Sequence, residues 1–471
     1  MAPKFGTSGL RGLVSELTPG LVTDYVRAFV TACPAGTALW VGRDLRPSSP
    51  ALAATVLEAA RGMGLETVDC GAVPTPALAL AAMKAGASAV MVTGSHIPAD
   101  RNGLKFYLPG GEITKADETA ILRALGAGPA TVPGPQPRPC TTAGSAWVAR
   151  YVTAFGPGAL AGLRIGVWSH SAVSRDLLLA ALAALGAEGL DLGRSDLFIP
   201  VDTEAVAPEA RAALRVWARD AALDAVISTD GDGDRPLLAD AGGRLIPGDV
   251  LGQITAAVLG AETVVTPVSS NTGVDAGGRF RQVIRTRIGS PHVIAGMAAA
   301  GGRVVGYEAN GGFLLGFAAQ GPAGPLPPLA TRDSLLPLVA VLSRARLAGG
   351  LAALVAAEPA RFTAADRLEE VPPEAARALL AGFGTDPGQL EALLGTLGES
   401  CIATDRTDGL RLTLASGRVV HMRPSGNAPE FRLYVEAESP ERAEGLLRQG
   451  LDRLSHLLRG LSSGAGAPDR I

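Results

Sequence analysis

Short apolar runs alternate along the chain with Ala- and Leu-rich segments of helical periodicity. In the first third, the runs TALWVGRD, LETVDCG and SAVMVTGSH are separated by SSPALAATVLEAARGMG and TPALALAAMKAG. Near-continuous apolar runs are typical of buried strands, whereas helices often begin at Ser, Thr or Pro and end at Gly. The pattern therefore predicts α/β units with buried strands.

The α/β pattern restarts twice, at LRIGVWSH and at DVLGQITAAVLG. In each third, a small apolar strand runs directly into a polar loop that contains glycine, namely AVMVTGSHIP, AVISTDGDGDR and VVGYEANGG. Three related α/β domains, each presenting one such loop, would explain this repeat. The sequence thus predicts a repeated architecture in its first three parts.

Changes in composition suggest the domain boundaries in this chain of 471 residues. GAGPATVPGPQPRPC is rich in Gly and Pro, and a long helix is expected from Ser334 to about Ala357. The C-terminal part carries hairpin-like runs and the helical segment SPERAEGLLRQGLDRLSHLLRG. We predict three α/β domains over 1–145, 146–248 and 249–360, and an α+β domain over 361–471.

Composition excludes several classes of protein. The net charge is −3 with few aromatic residues and no basic block, which disfavours nucleic-acid binding. No uninterrupted apolar run has the length of a membrane span and the N-terminus lacks a leader pattern, so we expect a soluble, cytoplasmic protein. Cys33, Cys70, Cys140 and Cys401 are far apart, and we expect buried small hydrophobic side chains rather than disulfides or a zinc site.

Asp230, Asp232 and Asp234 alternate in STDGDGDRPL, directly after a predicted strand. Three converging carboxylates repel one another unless a cation is bound, and Mg²⁺ prefers such oxygen ligands. The intervening glycines let the backbone bend. An EF-hand is excluded because its twelfth position would be Ala241 rather than Glu. The residues alone leave an Asp/Gly-rich surface turn as the alternative.

The segment VTGSHIPADRNGLKF contains adjacent Ser95 and His96. Neighbours in sequence cannot easily form a hydrolase-type hydrogen bond, and no G-x-S-x-G elbow surrounds the serine, so an acyl-transfer triad is disfavoured. A phosphate-carrying serine would instead need cations and a metal. Lys105, one of only four lysines among 42 basic residues, and the aspartates could supply them. A plain turn is the alternative.

Three further loops are rich in groups that bind phosphate or sugar, although each on its own could be an ordinary turn. The residues are Arg423, Ser425, Gly426 and Asn427 in RPSGNAP, Glu308 and Asn310 in GYEANGG, and Thr7, Ser8 and Arg11 in FGTSGLRG.

In order, KFGTSGLRG, TGSHIPADRNGLKF, DGDGDR, GYEANGG and RPSGNAPEFR resemble the successive signatures of the α-D-phosphohexomutases, the phosphomannomutase/phosphoglucomutase superfamily. The resemblance spans nearly the whole chain. It implies three related α/β domains with mixed sheets and a C-terminal α+β domain around a central cleft. We also expect small-molecule sugar phosphates as partners, no nucleic-acid or membrane partner, and a monomer or weak homo-oligomer.

The resemblance implies a role for each site residue. Ser95 would carry the phosphoryl group and, with the three aspartates, bind Mg²⁺. Lys105 or His96 would assist proton transfer. The metal ligands implied are Ser95, Asp230, Asp232 and Asp234; the groups around the transferred phosphoryl are Arg11, His96, Lys105 and Arg235; the substrate-binding residues are Glu308, Asn310, Arg423, Ser425, Gly426, Asn427, Arg432 and His292. A structural role for His292 is an equal alternative.

The implied reaction interconverts mannose 6-phosphate and mannose 1-phosphate through a hexose 1,6-bisphosphate, which would also serve as activator. Glucose phosphates are further candidate substrates. A phosphoglucosamine mutase and a Mg²⁺-dependent sugar-phosphate hydrolase are the alternatives. An inactive sugar-phosphate binder is disfavoured by the intact Ser95, Lys105 and aspartate set.

The sequence departs from the family pattern at three places. Ile97 replaces the usual Asn after Ser-His, and Asn427-Ala428 stands where Thr and Glu are frequent. The usual Glu-x-Ser-Gly-His is Glu308-Ala309-Asn310-Gly311-Gly312 here, so the sugar-loop histidine is missing. We therefore expect proton transfer to depend on Lys105 and His96.

Overall fold

The computed structural model describes residues 3–6, 9–128, 132–425 and 429–464. The chain divides into two compact units. Unit 1 comprises Met1–Val265, Phe280–Ile284 and Gly289–Ala357, and unit 2 comprises Thr266–Arg279, Arg285–Ile288 and Glu358–Ile471.

The N-terminal part of the chain forms an eight-stranded mixed sheet in the order β1-β2-β6-β5-β3-β4-β8, with β7 paired to β6. Its elements are β1 (Lys4–Phe5), β2 (Leu10–Leu13), α1 (Pro19–Ala32), β3 (Ala38–Arg43), α2 (Ser49–Arg61), β4 (Glu66–Ala72), α3 (Thr75–Lys84), β5 (Ser88–Val92), β6 (Arg101–Leu108), β7 (Gly111–Glu112), α4 (Lys115–Arg123) and β8 (Arg138–Pro139). The helices bury apolar faces on this sheet, as the core around Val26, Val56 and Val90 shows.

The next part forms a five-stranded sheet in the order β10-β9-β11-β12-β13. Its elements are α5 (Ala143–Phe155), β9 (Arg164–Trp168), α6 (Arg175–Ala184), β10 (Glu188–Leu192), α7 (Pro208–Asp220), β11 (Ala225–Thr229), β12 (Pro236–Asp240) and β13 (Leu245–Ile246). Strand β9 is parallel to β10 and β11, and β12 is antiparallel to β11.

A third sheet has the order β15-β14-β16-β17-β20, with a 3-10 helix over Thr272–Gly278. The elements of this part are α8 (Gly248–Val258), β14 (Thr263–Pro267), β15 (Gln282–Thr286), α9 (Ser290–Ala300), β16 (Val304–Tyr307), β17 (Phe313–Leu315), β18 (Ala319–Gln320), β19 (Pro325–Leu326), β20 (Leu329–Asp333), α10 (Leu335–Leu347) and α11 (Leu351–Ala356).

The three sheets share the arrangement that the sequence repeat predicted. In each, a buried strand runs into the polar loop and the chain returns in an antiparallel neighbour: β5 to β6, β11 to β12, and β16 to β17. Each buried strand is also parallel to another neighbour, so the sheets are mixed. The predicted fold class is thereby confirmed for the α/β part.

The C-terminal part is α+β, as predicted. Its antiparallel sheet has the order β21-β25-β24-β23-β22. The elements are β21 (Phe362–Glu369), α12 (Pro373–Thr385), α13 (Pro387–Thr396), β22 (Cys401–Asp405), β23 (Leu410–Leu414), β24 (Val419–Pro424), β25 (Glu430–Ala437) and α14 (Pro440–Gly464). Residues 266–279 and 285–288, which we had predicted to be part of the third α/β domain, belong to the same compact unit.

Several details differ from the sequence predictions. The helix expected over 334–357 is two helices, α10 and α11, because Gly349 and Gly350 take left-handed φ values of 83° and 112° between them. The predicted boundary at 145/146 lies inside α5, and the one at 248/249 lies at the start of α8. The division into four domains therefore stays a prediction.

The cysteine prediction was right in part. All four thiols are free, but only Cys33 and Cys70 are buried, while Cys140 and Cys401 are partly exposed. Within the residues that the structure describes, no helix combines the length and the apolar character of a membrane span.

Candidate active site

Ser95 lies in the loop between β5 and β6 with φ at +54°, which is uncommon for a residue with a side chain. Its N–H donates to Thr93 Oγ1 at 2.7 Å, and the Thr93 hydroxyl donates to buried Asp44 at 2.7 Å. The Ser95 hydroxyl, which is itself buried, donates to Asp230 Oδ2 at 2.6 Å. The loop therefore holds the serine against a carboxylate of the predicted metal-binding residues.

Arg46 anchors the Ser95 loop, a role that we did not predict. Its buried guanidinium donates to Asp44 Oδ2 at 3.1 Å and stacks on the Phe198 ring, whose centroid is 4.1 Å away. It also donates to the carbonyl oxygens of Ser95, Ile97, Pro98 and Arg101, at 2.6 to 2.9 Å. The sequence signal that could have indicated this role is the pair of opposite charges in RDLRP, directly after an apolar strand. Ile97 thus contributes to this anchoring through its backbone, whatever its side chain.

Asp230, Asp232 and Asp234 lie together after β11, as predicted. They are fully buried, and one oxygen from each lies within 4.8 Å of the others. Oδ1 of Asp232 and Oδ1 of Asp234 have no hydrogen-bond partner within the described parts of the chain. Unpaired buried acceptors are unfavourable, and oxygen donors of this kind are what a hard divalent cation takes. The residues present fit Mg²⁺.

Lys105, on β6, provides a cation to this triad. Its Nζ donates to Asp232 Oδ2 and to Asp234 Oδ2, at 2.6 Å each. Burial opposes ionisation of Asp232, but the charge of Lys105 and the hydrogen bonds from Lys105 and Thr75 together outweigh it and lower the pKa of that carboxyl. Burial, together with the charges of Asp232 and Asp234, raises the pKa of Asp230 well above its ordinary value. The triad is therefore uneven: Asp232 is held ionised, whereas Asp230 favours its protonated form unless further positive charge is bound.

His96 and the arginines form the other side of the site. Arg235 Nη1 donates to His96 Nδ1 at 3.0 Å. His96 Nδ1 is also 3.3 Å from Ser95 Oγ. Burial, and then the charges of Arg235 and Arg11, lower the pKa of His96 well below its ordinary value. His96 is therefore neutral, with Nδ1 as an acceptor.

Arg11 lies on β2, opposite Gly103 of β6. Burial, with the charges of Arg235 and Arg332, lowers its pKa to about 10. The charges of Arg235 and Arg332 contribute to this shift, so three guanidinium groups share one region of the site. Such a region favours a phosphoryl dianion.

The loop that is predicted to bind sugar, called the sugar loop below, joins β16 to β17. Glu308 is buried and accepts from Arg332 Nη1 at 3.3 Å. Asn310 Oδ1 accepts from Gly312 N at 3.0 Å, and its carbonyl oxygen accepts from Thr203 Oγ1 at 2.9 Å. Asn310 thus shapes the loop through both of its oxygens. Arg332 was not predicted, because nothing in GPAGPLPPLATRD marks it as buried.

The described members of the predicted phosphate-binding set, Arg423, Ser425 and Arg432, lie in unit 2. Gly426 and Asn427 are outside the described residues, as are Thr7 and Ser8 of the N-terminal loop. Arg423 Nε is 3.3 Å from Asp408 Oδ1, and Arg432 Nη2 is 3.0 Å from Glu430 Oε2.

The strand register of this sheet places Arg423 opposite Arg432, and Arg432 opposite Arg367 of β21. Like charges in opposite positions repel, and Glu430 relieves part of this repulsion with oxygens 3.3 Å from Arg367 and 3.0 Å from Arg432. The row offers three guanidinium groups to a phosphate. Ser425 is buried at the end of β24. His292 is half-buried in the first turn of α9, in unit 1.

His170 is a buried histidine next to the strand that leads to Asp230, and its burial leads us to expect a loss of stability in acid. Its Nε2 is 2.9 Å from the carbonyl oxygen of Thr229, the residue before Asp230. Burial, despite that hydrogen bond, lowers its pKa to about 4. In the unfolded chain this histidine is protonated below pH ~6.5, whereas in the folded chain it stays neutral down to about pH 4. The free energy of unfolding should therefore fall by about 3 kcal/mol as the pH drops through this range.

Urea unfolding at pH 7 and pH 5 measures this effect. In His170→Gln the difference between the two pH values should shrink, because glutamine can donate to Thr229 without titrating in this range. His456→Gln, at an exposed position on α14, is the control and should keep the wild-type difference. An unchanged difference in His170→Gln would rule out this source of the pH dependence.

Three family profiles match the chain. They are described as phosphoglucomutase/phosphomannomutase alpha/beta/alpha domain I over residues 2–129, alpha/beta/alpha domain III over 247–362, and C-terminal domain over 357–450.

Two curated relatives match over nearly their whole lengths. The chain is 45% identical to a phosphomannomutase of Sinorhizobium fredii, with 96% of this chain and 98% of the relative covered. It is 41% identical to a phosphomannomutase of Salmonella muenchen, with 96% of each covered. Among solved structures, a phosphoglucomutase/phosphomannomutase family protein from Burkholderia thailandensis has a TM-score of 0.77 at 22% identity, with 98% of each chain covered, which establishes the shared fold.

Proposed function

The chain belongs to the phosphoglucomutase/phosphomannomutase family, and we propose that it interconverts mannose 6-phosphate and mannose 1-phosphate through a phosphoserine at Ser95. The observation that carries the proposal is the contact between the Ser95 hydroxyl and Asp230, at 2.6 Å within the aspartate triad. A nucleophile held against such a site has the placement that phosphoryl transfer requires.

In the proposed reaction, the phosphoryl group on Ser95 passes to the free hydroxyl of the hexose monophosphate. The bond from phosphorus to Ser95 Oγ breaks as the bond to the sugar oxygen forms, and the proton that the sugar hydroxyl loses ends on Ser95 Oγ. The resulting hexose 1,6-bisphosphate returns its other phosphoryl group to Ser95. A hexose 1,6-bisphosphate added from solution would therefore phosphorylate the free serine and act as activator.

The chain's cations stabilise the transferred group. Lys105, Arg11 and Arg235 lie around Ser95 and the triad, and their charges offset the negative charge on the equatorial oxygens. Asp230, Asp232 and Asp234, with an oxygen of the phosphoserine, would hold Mg²⁺, which when bound adds a divalent charge at the same place.

Proton transfer was expected to depend on Lys105 and His96. In this structure His96 Nδ1 accepts from Arg235, while the Lys105 ammonium donates to two carboxylates. Each group is thus engaged with a partner instead of being a free base. We propose that both contribute mainly charge and hydrogen bonds, which is what a loose transition state needs most.

We also propose that Glu308 binds sugar hydroxyls and that Arg423, Ser425 and Arg432, with Gly426 and Asn427, bind the phosphate that is not transferred. The row of opposed arginines on the C-terminal sheet supports the second assignment. A role for His292 in substrate choice stays a prediction. A cytoplasmic location and a monomer or weak homo-oligomer are proposed as well; the free thiols are typical of a reducing compartment.

The test is an assay of the purified protein with mannose 1-phosphate, Mg²⁺ and a hexose 1,6-bisphosphate. We expect mannose 6-phosphate to form without inorganic phosphate, and glucose and glucosamine phosphates assayed in parallel to react more slowly than mannose phosphates. Steady release of inorganic phosphate without isomer would favour a hydrolase instead. Faster turnover of glucosamine phosphates would favour a phosphoglucosamine mutase.

A further inference from the structure

Arg332 connects the metal triad to the sugar loop. It lies on β20, with a side chain that is 3% exposed. Its Nη2 is 2.8 Å from Asp234 Oδ2, and its Nη1 is 3.3 Å from Glu308 Oε2. One guanidinium therefore contacts a carboxylate of the triad and the carboxylate of the sugar loop.

The positive charge of Arg332 can be buried because carboxylates are paired with it. An isolated guanidinium in such a place would be strongly unfavourable, whereas one paired with carboxylates in good geometry is tolerated. A third carboxylate, Glu112, has Oε1 at 3.9 Å from Arg332 Nε. The planar guanidinium presents donors in fixed directions, so it restrains the carboxylates relative to one another, which an ammonium cannot do equally well.

The side chain of Arg332 also explains Gly312, where the family pattern has a histidine. A Cβ at Gly312 would lie 2.8 Å from Arg332 Cδ and 3.1 Å from its Cγ. Those separations are too short for a carbon contact unless Arg332 moves. A side chain at position 312 and the present placement of Arg332 therefore exclude each other.

We propose that Arg332 is a positioning residue that holds Glu308 in place for the sugar and, by sharing Asp234 with the metal, weakens metal binding in exchange. Because position 312 is glycine, the side chain of Arg332 on β20 can lie where a side chain at position 312 would otherwise be, and it places a cationic group there. The proposal rests on the proposed function, because Glu308 is assigned to the sugar there.

Arg332→Gln separates this role from a merely structural one. Removing a cation beside Asp234 should tighten Mn²⁺ binding, measured by electron paramagnetic resonance, by several-fold to about tenfold. Release of Glu308 should weaken binding of mannose 1-phosphate, measured by calorimetry, by about tenfold and raise KM by a similar factor. General damage to the site would instead weaken both ligands. Weakening of both, or a change in neither, would overturn the proposal.

Two further variants keep the test independent of folding. Arg332→Lys should keep Mn²⁺ binding close to wild type but recover sugar-phosphate binding only in part. Gly312→Ala should weaken sugar-phosphate binding in the wild-type background and much less in Arg332→Ala, which lacks the Cγ and Cδ atoms that the new methyl group would meet. Additive effects of the two substitutions would contradict the inference.

Arg303→Lys is the matched control, because Arg303 donates to the carbonyl oxygens of Leu259 and Gly260, and it should bind both ligands as wild type does. The binding measurements do not need turnover. If the wild-type protein failed to isomerise mannose phosphates, the proposed function would fail while the opposite shifts in Mn²⁺ and sugar-phosphate affinity would still test Arg332.

Discussion

Replacing Ser95 with alanine is expected to lower kcat for mannose phosphate isomerisation by about 10⁴-fold or more, because the group that carries the phosphoryl is removed. The backbone should persist: Thr93 and Arg46 hold the loop through the Ser95 N–H and carbonyl, and alanine is as restricted as serine at a φ of +54°. The intact mass of the wild-type protein should include one phosphoryl group, and that of Ser95→Ala should not.

Ser343→Ala is the control for this substitution, because the Ser343 hydroxyl donates only to the Ala340 carbonyl within α10 in the contacts that the structure shows. It should keep both the phosphoryl group and the activity. Isomerase activity within tenfold of wild type in Ser95→Ala, or a phosphoryl group that stays on that variant, would move the covalent step to another residue.

The positions that the sequence predicted best are those where local pattern and chemistry coincide. Asp230, Asp232 and Asp234 follow a buried strand and are separated by glycines, so their convergence depends on a few neighbouring residues. The same holds for the strand and loop before Ser95. The apolar runs also predicted the buried strands of the three α/β parts, because such strands need apolar side chains on both faces, whereas the mixed sheets were implied only by the family resemblance.

What the sequence did not predict depends on tertiary contacts. Arg46 is far from Ser95 along the chain, and its role appears only once the loop carbonyl oxygens surround its guanidinium. Arg332 reaches Asp234 and Glu308 because β20 adds to the edge of the third sheet. In a chain with 42 basic residues, nearly all of them arginine, composition does not distinguish these two from surface arginines.

Asp232→Asn is expected to have the second large effect, weakening Mn²⁺ binding by about 100-fold or more and lowering kcat by about 10³-fold. Asp232 Oδ1 has no hydrogen-bond partner in the described residues, while its Oδ2 accepts from Lys105 at 2.6 Å and from Thr75 at 2.5 Å. An amide has the same shape but lacks the charge that a divalent cation needs. Chelation of the wild-type protein should likewise stop turnover until Mg²⁺ is restored.

Asp240→Asn is the matched control for Asp232→Asn. Asp240 ends β12, is also buried, and accepts from the backbone N–H groups of Gly242 and Arg244, at 2.9 Å each. It should bind Mn²⁺ as wild type does, because its carboxylate serves a turn and not the triad. If Asp232→Asn bound Mn²⁺ with wild-type affinity, the cation would have to bind elsewhere, and Lys105, Arg235 and Arg332 would have to balance the triad without it.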